Sequence, residues 1–182
     1  MNTARPDLIH CQPASLRDAT ILAKMSRDFI ERGHGWSWQA PRIARCIRDP
    51  DCVVLRADLQ ATGKIAGFAI MDFHDQHEQR AHLNLLAVAP SFRRHGIART
   101  LLEWLEETAL VAGIANISLE VRAQNGGGRR FYKRLGYQEV KQIPRYYSGR
   151  ETAYRLCKQI RDSCYLQKLQ ELEESNPSNT PS

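Results

Sequence analysis

The chain has 182 residues, with 26 Lys and Arg against 20 Asp and Glu, so its formal net charge at pH 7 is +6. This length fits one domain and excludes a large multidomain assembly. Apolar residues make up 42% of the chain and charged residues 25%, which excludes a mainly disordered, collagen-like or coiled-coil protein. The basic charge suits nucleic acid, anionic lipid, an acidic protein surface or a polyphosphate-bearing ligand, and it does not choose among them.

Several features of the sequence predict a cytoplasmic protein. The strongly apolar stretches, such as residues 83–90, are far shorter than the roughly 20 residues needed to cross a bilayer, so we expect no membrane partner. Residues 1–7 have no apolar run behind their charge and lack the pattern of a signal peptide. The cysteines show no Cys-x-x-Cys pair and no zinc spacing, as expected for reduced thiols: Cys11, Cys46, Cys52, Cys157 and Cys164.

The first half of the chain predicts one strand, two helices and a β-hairpin. Apolar residues at helical spacing follow Ser15, a favoured N-cap type, and Pro13 ends the preceding strand. A turn at residues 61–63 separates two runs of strand composition. In chain order the elements are a strand over 7–12, a helix from Ser15 to about Glu31, a short helix after Pro41, and strands over 52–57 and 64–73.

The second half predicts a βαβ unit, a short helix and a second hairpin. Because a right-handed crossover joins the two strands of a βαβ unit, we expect them to be parallel. The elements are strands over about 80–89 and 117–121 around a helix over about 96–112, a helix over about 128–135, strands over 137–142 and 152–157, an amphipathic helix over 159–174 and a disordered tail over 175–182. This order predicts an α/β domain over residues 1–158.

A strand that leads through a glycine turn into a helix is the most informative part of the sequence. The first N–H groups of a helix have no internal acceptor and carry the positive end of the helix dipole, so they favour a phosphate. Gly96 permits close approach of the anion, and Arg93, Arg94 and Arg99 would add charge-assisted hydrogen bonds to a pyrophosphate. The alternative is a solvated basic turn that precedes a helix.

The pattern Arg93-x-x-Gly96-x-Ala98 resembles the acetyl-CoA pyrophosphate signature of the GNAT superfamily of N-acetyltransferases, Gln/Arg-x-x-Gly-x-Gly/Ala. The resemblance implies the GNAT fold, with a mixed central sheet of about seven strands flanked by helices and a C-terminal helical extension. Within the superfamily, further stretches resemble the bacterial ribosomal-protein-alanine N-acetyltransferases. These stretches are residues 81–88, 119–125, 131–137 and 145–147.

The resemblance also implies where acetyl-CoA binds. In the family two parallel strands splay, and the pantetheine arm lies between them against backbone groups, here those of Leu86, Ala87 and Val88. Amides at the helix start hold the pyrophosphate, and an Asn after the next strand contacts the cofactor. The corresponding residues here are Arg93, Arg94, His95, Gly96, Ile97, Ala98 and Arg99 for the pyrophosphate and Asn125 for the second contact.

Two side chains correspond to the catalytic groups of the family. The resemblance implies that Glu120 is the general base and Tyr132 the proton donor to the departing thiolate. An amine attacks a thioester only when neutral, and a glutamate whose pKa is raised by partial burial, acting directly or through a water, suits an α-amine. The alternatives are a surface ion pair between Glu120 and Arg122 and a Tyr132 that packs in the core. His82 and Asn84 are further candidates for orienting a water.

Two features bear on how the site is completed. Residues 126–128 are all glycine where relatives usually carry alanine, so we expect that helix to begin late and the positions of Asn125 and Tyr132 to be less fixed. Residues 33–38 and 145–150 contain paired tryptophans and paired tyrosines, which would form the walls of the acceptor cleft. The alternative is that these aromatic residues cover the core under two loops.

Histidine and acidic residues between positions 74 and 82 invite a metal interpretation. A polar run between two strands is usually a solvated loop, and GNAT chemistry needs no metal, so we expect none. The helix over 159–174 would either pack on its own chain or form a homodimer.

We interpret the sequence as an acetyl-CoA-dependent N-acetyltransferase that modifies a protein N-terminal α-amine by direct attack in a ternary complex. A lysine or small-amine acceptor, a catalytically silent acetyl-CoA-binding module and a nucleic-acid-binding protein are the alternatives. The basic residues cluster at one helix start instead of interleaving with aromatic residues over a broad face, so we expect no direct nucleic-acid binding.

Overall fold

Seven strands and four α-helices make up the described part of the chain, residues 9–32, 35–73 and 79–161 of a computed structural model. The elements are β1 (Ile9–Pro13), α1 (Ala19–Phe29), α2 (Ala40–Arg48), β2 (Cys52–Leu59), β3 (Ile65–Asp72), β4 (Arg80–Val88), α3 (Ile97–Val111), β5 (Asn116–Arg122), α4 (Gly126–Arg134), β6 (Gln138–Tyr147) and β7 (Glu151–Gln159). Short 3₁₀ turns, Leu16–Asp18 and Pro90–Phe92, precede α1 and α3. The element order and the mixed sheet confirm the predicted α/β fold.

Strands β4 and β5 are the parallel pair that the βαβ pattern predicts. The sheet order is β1-β2-β3-β4-β5-β7-β6, and each of the other neighbouring pairs is antiparallel. The parallel pairing ends where His82 lies opposite Ser118, although β4 continues to Val88 and β5 to Arg122. An opening therefore separates the carboxyl halves of these two strands.

The neighbours of β4 and β5 hold the opening in place. Strand β3 pairs with β4 as far as Val88, and β7 pairs with β5 as far as Arg122. Asn84 is an extra residue on β4 at a shift in the β3–β4 register, which makes it a β-bulge. Because a bulge bends a strand and increases its twist, β4 turns away from β5 while it keeps its pairing with β3.

Hydrophobic side chains from the helices cover both faces of this sheet. On one face α3 buries Leu101 and Leu105 in a cluster with residues of β2 to β5. On the other face α1 and α2 bury Leu22 and Ile43 against the alternate residues of β2, β3 and β4. Since α1 and α2 pack on the β2–β4 side, the same face of β5 is free to carry polar side chains.

The predicted late start of α4 is wrong. The helix begins at Gly126, and its N-cap Asn125 accepts a hydrogen bond from the Gly128 N–H at 2.9 Å. A Cβ at position 128 would lie 2.6 Å from Nδ2 of Asn125, so a larger residue there would require the Asn125 amide to shift. An Asn N-cap stabilises a helix by about 1 kcal/mol, which offsets part of the low helix propensity of the glycines. Tyr132 therefore lies on a helix whose start is fixed by its own cap.

Strand β7 extends farther than the sequence predicts. It runs to Gln159, and the buried Ile160 donates its N–H to the Ala115 carbonyl at 2.9 Å. Residue 159 therefore belongs to β7 and not to the predicted helix, and the domain boundary at residue 158 stays a prediction. The rest of that helix and the predicted tail lie outside the described residues. Within the described ranges, no helix has the length and the apolar character that a membrane span requires.

Gly67 sets how closely β3, β4 and α3 approach one another beside the opening. A Cβ at this position would lie 2.9 Å from the Ala87 carbonyl oxygen and 3.2 Å from side-chain carbons of Ile97 and Val88. We expect Gly67→Ala to lower the free energy of unfolding by about 1–3 kcal/mol, because the backbone of β4 must move.

Urea or thermal unfolding measures this change. The control is Gly35→Ala, since nothing lies within 4 Å of a Cβ at position 35. Equal stability of the wild type and Gly67→Ala would contradict the close approach.

Candidate active site

The opening exposes the edge of β4 that carries the residues predicted to contact pantetheine. Leu86, Ala87 and Val88 pair with β3 on one side and have no strand partner on the β5 side among the described residues. An unpaired strand edge offers N–H and C=O groups to an extended ligand. Arg93 Nε already donates to the Val88 carbonyl at 3.1 Å, which fixes the loop after β4 against this edge.

The start of α3 lies at the end of that loop, with the backbone shape expected of an anion site. Gly96 has a φ of +80° and Arg94 a φ of +64°. The first hydrogen bond that closes the helix joins the Thr100 N–H to the Gly96 carbonyl at 3.0 Å, so the amides of Ile97 to Arg99 precede the first internal acceptor. A Cβ at position 96 would meet nothing within 4 Å. The space beside Gly96, at the start of these amides, is therefore open.

The charged side chains of this turn contribute less than the sequence suggests. Arg93 is bound to the Val88 carbonyl, and the exposed Arg99 forms an ion pair with Glu103 at 2.7 Å. The His95 Nδ1 atom is buried and has no hydrogen-bond partner among the described residues. The backbone amides are thus the main anion-binding feature of the turn, and Arg94 is the exposed side chain beside them.

Glu120 points from β5 into a cluster of three donors beside the opening. Its Oε1 accepts a hydrogen bond from Arg155 Nε at 2.7 Å. Its Oε2 lies 3.0 Å from His82 Nε2 and 3.2 Å from the Tyr146 hydroxyl, which donates to it. The carboxylate side chain is only 4% exposed. The predicted alternative, a surface ion pair with Arg122, is wrong.

The predicted raised pKa of Glu120 is also wrong. Burial alone pushes the pKa of this carboxyl upward, and it is the largest single influence. The hydrogen bonds and charges of His82 and Arg155 together outweigh burial and lower the pKa to about 2. A carboxylate with this pKa stays ionised at neutral pH and is a weak proton acceptor.

The side chain of Tyr132 packs against the hydrophobic core from α4. Its ring makes edge contacts with Phe131 at 5.1 Å and Tyr137 at 5.6 Å between ring centres. Burial, with a smaller contribution from Tyr147, raises the pKa of Tyr132 well above its usual value. Its hydroxyl has no hydrogen-bond partner in the part of the chain that the structure describes. The phenol of Tyr132 is therefore protonated and free to donate a hydrogen bond. Just as Tyr147 raises the pKa of Tyr132, Glu120 raises the pKa of Tyr147.

Asn125, the other predicted contact after β5, has a structural task. Its side-chain oxygen accepts the hydrogen bond from the Gly128 N–H that caps α4. The cap positions the first turn of α4 at the end of β5, close to the opening.

A cleft of about 530 Å³ lies where the end of α1, the loop after β4 and the end of β5 meet. Arg122 joins its sides, because its guanidinium donates to the Ile30 carbonyl at 2.6 Å and lies 5.3 Å from the centre of the Tyr147 ring. The residues that line the cleft are Asp28, Phe29, Ile30, Arg32, Pro90, Arg93 and Arg122. The cleft thus adjoins both the loop after β4 and the tyrosines of β6.

In each of the two predicted walls of the acceptor site, one aromatic residue of the pair is more buried and the other is exposed. Trp38 is 8% exposed and packs in the core cluster of α1 and α2, whereas Trp36 is 38% exposed. Tyr146 is 45% exposed, whereas Tyr147 is partly buried and packs edge-on against it at 5.0 Å. Trp38 therefore covers the core, whereas a place for Trp36 and Tyr146 in the acceptor cleft stays a prediction. Residues 33 and 34 of the first wall lie outside the described residues.

Buried Glu31 organises the first of these walls. Its carboxylate accepts hydrogen bonds from the Ser26 hydroxyl, from the N–H and hydroxyl of Ser37, and from the Trp38 N–H, at 2.6 to 3.1 Å. Because a buried charge is tolerated when its acceptor sites are filled, this residue ties the segment around Ser37 to the end of α1.

The sequence did not identify Arg155 or Ser118 as part of the site, and it placed Tyr146 in a cleft wall without its contact to Glu120. Arg155 faces Glu120 because β7 inserts between β5 and β6, and strand order is not visible in local sequence patterns. The histidine and acidic residues at 74–78 lie outside the described residues. No group of three metal-ligand side chains occurs within the described ranges.

The opening between two parallel strands, with unpaired amides at the adjoining helix start, agrees with the fold of N-acetyltransferases that the sequence resemblance implies. The profile of the acetyltransferase (GNAT) family matches residues 19–137, and the chain belongs to this family. It is accordingly an N-acetyltransferase, and the fold prediction is confirmed.

Three comparisons place the chain among its relatives. It is 33% identical over 126 residues to the [ribosomal protein bS18]-alanine N-acetyltransferase of Escherichia coli, covering 68% of this chain and 81% of that enzyme. The crystal structure of the ribosomal-protein-S18-alanine N-acetyltransferase from E. coli superposes with a TM-score of 0.70 at 27% identity, over 84% of this chain and 94% of that one. PaiA N-acetyltransferase from Thermoplasma acidophilum, in complex with coenzyme A, shares the fold at 20% identity and a TM-score of 0.70, over 83% and 98% of the two chains.

Acid unfolding tests the state of Glu120. Its pKa lies near 2 in the folded chain against an ordinary 4.5, so its ionised form stabilises the fold above about pH 4.5, and this stabilisation is lost as the pH falls toward 2. A shift of this size corresponds to roughly 3 kcal/mol. We expect the melting temperature of Glu120→Gln to fall less than that of the wild type between pH 5 and pH 2.5.

The control is Glu107→Gln, on the exposed side of α3. Its melting temperature should fall with pH as much as that of the wild type. The same acid-induced fall in wild type and Glu120→Gln would show that Glu120 is not held ionised by the fold.

Proposed function

We propose that the protein transfers the acetyl group of acetyl-CoA to a protein N-terminal α-amine, of the ribosomal-protein-alanine type, by direct attack in a ternary complex. The observation that carries this proposal is the opening between β4 and β5, which leads from the amides of α3 to the polar cluster around Glu120. GNAT acetyltransferases use acetyl-CoA, and the geometry supports a place for each part of it.

The binding of acetyl-CoA divides between two stretches of backbone. The amides of residues 94–99, with the side chain of Arg94, bind the pyrophosphate, because they are oriented donors at the positive end of α3. The edge of β4 at Leu86 and Ala87 binds the pantetheine arm in the manner of an added strand. The open space over Gly96 supports this assignment, since a phosphate needs direct access to the amides.

The reaction requires one proton to leave the amine and another to reach the sulfur. The neutral amine forms a C–N bond to the thioester carbonyl carbon, and the tetrahedral intermediate then breaks its C–S bond. Tyr132 donates its proton to the departing thiolate and regains one from solvent, which its uncommitted hydroxyl supports. A group of the polar cluster beside Glu120 takes up the proton that leaves the amine, and the negative charge of Glu120 stabilises the positive charge that this proton adds.

The acceptor enters from the side of the α1–α2 segment and the β6–β7 hairpin. Exposed Trp36 and Tyr146 offer flat, amphipathic surfaces that suit a peptide backbone, and the cleft beside Arg122 gives the chain end a route to the opening. The name of the E. coli relative, an enzyme for the alanine of a ribosomal protein, supports an α-amine. An α-amine has an ordinary pKa near 8, so it needs less help to lose its proton than a lysine does. The proposed setting is the cytoplasm, with acetyl-CoA and a protein or peptide N-terminus as partners.

A charged substitution at position 96 tests the pyrophosphate site. In Gly96→Glu a carboxylate occupies the open space over the amides and repels the diphosphate, so we expect acetyl-CoA to bind at least 10-fold more weakly by isothermal calorimetry.

Gly96→Ala is the matched control, because it imposes the same strain at a φ of +80° without a charge, and its affinity should lie between the other two. Equal affinity of wild type and Gly96→Glu would place the diphosphate elsewhere.

Acetyl transfer to a panel of amines tests the function itself. Each peptide is supplied with a free or a blocked N-terminus and with or without lysine, alongside spermidine, and thiol release from acetyl-CoA is measured. We expect turnover with peptides whose N-terminus is free, highest for those that begin with alanine. Peptides with a blocked N-terminus should not be acetylated, even when they contain lysine. Turnover confined to lysine or spermidine would contradict the proposed α-amine acceptor. No thiol release with any amine would contradict the proposed enzymatic activity.

A further inference from the structure

His82 lies at the point where β4 and β5 part, between two polar residues of β5. Its Nδ1 is 2.9 Å from the Ser118 hydroxyl, and its Nε2 is 3.0 Å from Glu120 Oε2. His82 and Ser118 form the last cross-strand pair of the parallel ladder. The three residues thus form a continuous chain, Ser118 to His82 to Glu120, at the inner end of the opening.

The carboxylate of Glu120 is poorly placed to take a proton from an amine itself. Three donors already occupy it, from Arg155, His82 and Tyr146, and its side chain is almost completely buried. Its low pKa agrees with this geometry. The imidazole of His82 is more accessible, with about a third of its side chain exposed (35%).

The hydrogen bonds of the ring determine which nitrogen is basic. An ionised carboxylate only accepts hydrogen bonds, so the 3.0 Å contact with Glu120 requires a proton on Nε2. Nδ1 of the neutral ring then has a free lone pair. The Ser118 hydroxyl lies 2.9 Å from Nδ1 and 3.5 Å from the Ala81 carbonyl, so the ring nitrogen is its better acceptor.

We propose that His82 is the general base of the reaction, receiving the proton of the acceptor amine on Nδ1 through the Ser118 hydroxyl, and that Glu120 is a positioning residue that orients the ring. This inference rests on the proposed function and assigns the step that removes the amine proton. The arrangement is similar to a catalytic triad of serine, histidine and carboxylate, but here the serine relays a proton and does not attack the substrate.

The step balances as follows. The N–H bond of the attacking amine breaks and an O–H bond forms on Ser118, while the serine's own proton moves to Nδ1. His82 becomes an imidazolium, and the negative charge of Glu120 stabilises it. The imidazolium then releases its proton to water through its exposed side. The proton that Tyr132 gives to the thiolate is a separate one.

The charged groups around the ring favour this direction of transfer. Glu120 contacts it from β5, with Arg155 of β7 and Tyr146 of β6 on the far side of that carboxylate. Asp72 of β3 is the antiparallel cross-strand neighbour of His82, and it has interactions of its own. Acidic residues therefore neighbour His82 on both flanking strands, and Glu120 is the one in contact with its ring.

Steady-state kinetics of His82→Gln test the inference, with acetyl-CoA and the best acceptor of the wild type. We expect kcat to fall at least 100-fold while calorimetric affinity for acetyl-CoA stays within 2-fold. His82→Ala should recover part of its activity with added imidazole. Ser118→Ala should lower kcat at least 10-fold, and His10→Gln on distant β1 should match the wild type.

Two outcomes separate this inference from the proposed function. If the wild type transfers acetyl groups and His82→Gln keeps its kcat, the role of His82 is contradicted and the function stands. If the wild type releases no thiol with any amine, both fail. Should the His82 variants not fold, ¹⁵N NMR of the wild-type ring decides, because a neutral ring protonated on Nδ1 instead of Nε2 would overturn the assignment.

Discussion

The structure depends on one constraint, the brief parallel contact between β4 and β5. The two strands share a ladder only as far as His82 and Ser118, and beyond it each is held by a different neighbour, β3 on one side and β7 on the other. Hydrophobic burial on both faces of the sheet holds the strands in this arrangement. A gap with one unpaired strand edge and helix amides at its mouth is a seat for an extended, anionic ligand.

The same constraint determines the electrostatics of the site. At the inner end of the gap the sheet brings side chains of four strands together, with His82 on β4, Glu120 on β5, Tyr146 on β6 and Arg155 on β7. Such a network is costly to bury unless each polar group is satisfied, and here the carboxylate has three donors. Stability and chemistry are therefore coupled, because the contacts that hold Glu120 ionised also orient the imidazole.

The sequence allowed the prediction of features that depend on neighbours along the chain. The glycine turn before α3, the βαβ crossover and the two hairpins follow from local patterns, and each is present. The partners of Glu120 could not be predicted, because Arg155 and Tyr146 reach it only when β7 inserts between β5 and β6. The predicted start of α4 was wrong because it considered only the low helix propensity of three glycines, whereas Asn125 caps the helix by accepting a hydrogen bond from the Gly128 N–H. The error on the pKa of Glu120 came from considering burial without its donors.

A crystal structure of the protein with coenzyme A tests the central claim most directly. The account predicts the diphosphate on the amides of residues 94–99, the pantetheine arm along Leu86 and Ala87, and the sulfur directed toward the cluster of His82 and Glu120. Coenzyme A bound elsewhere, or a ladder between β4 and β5 that closes along their full length, would contradict it.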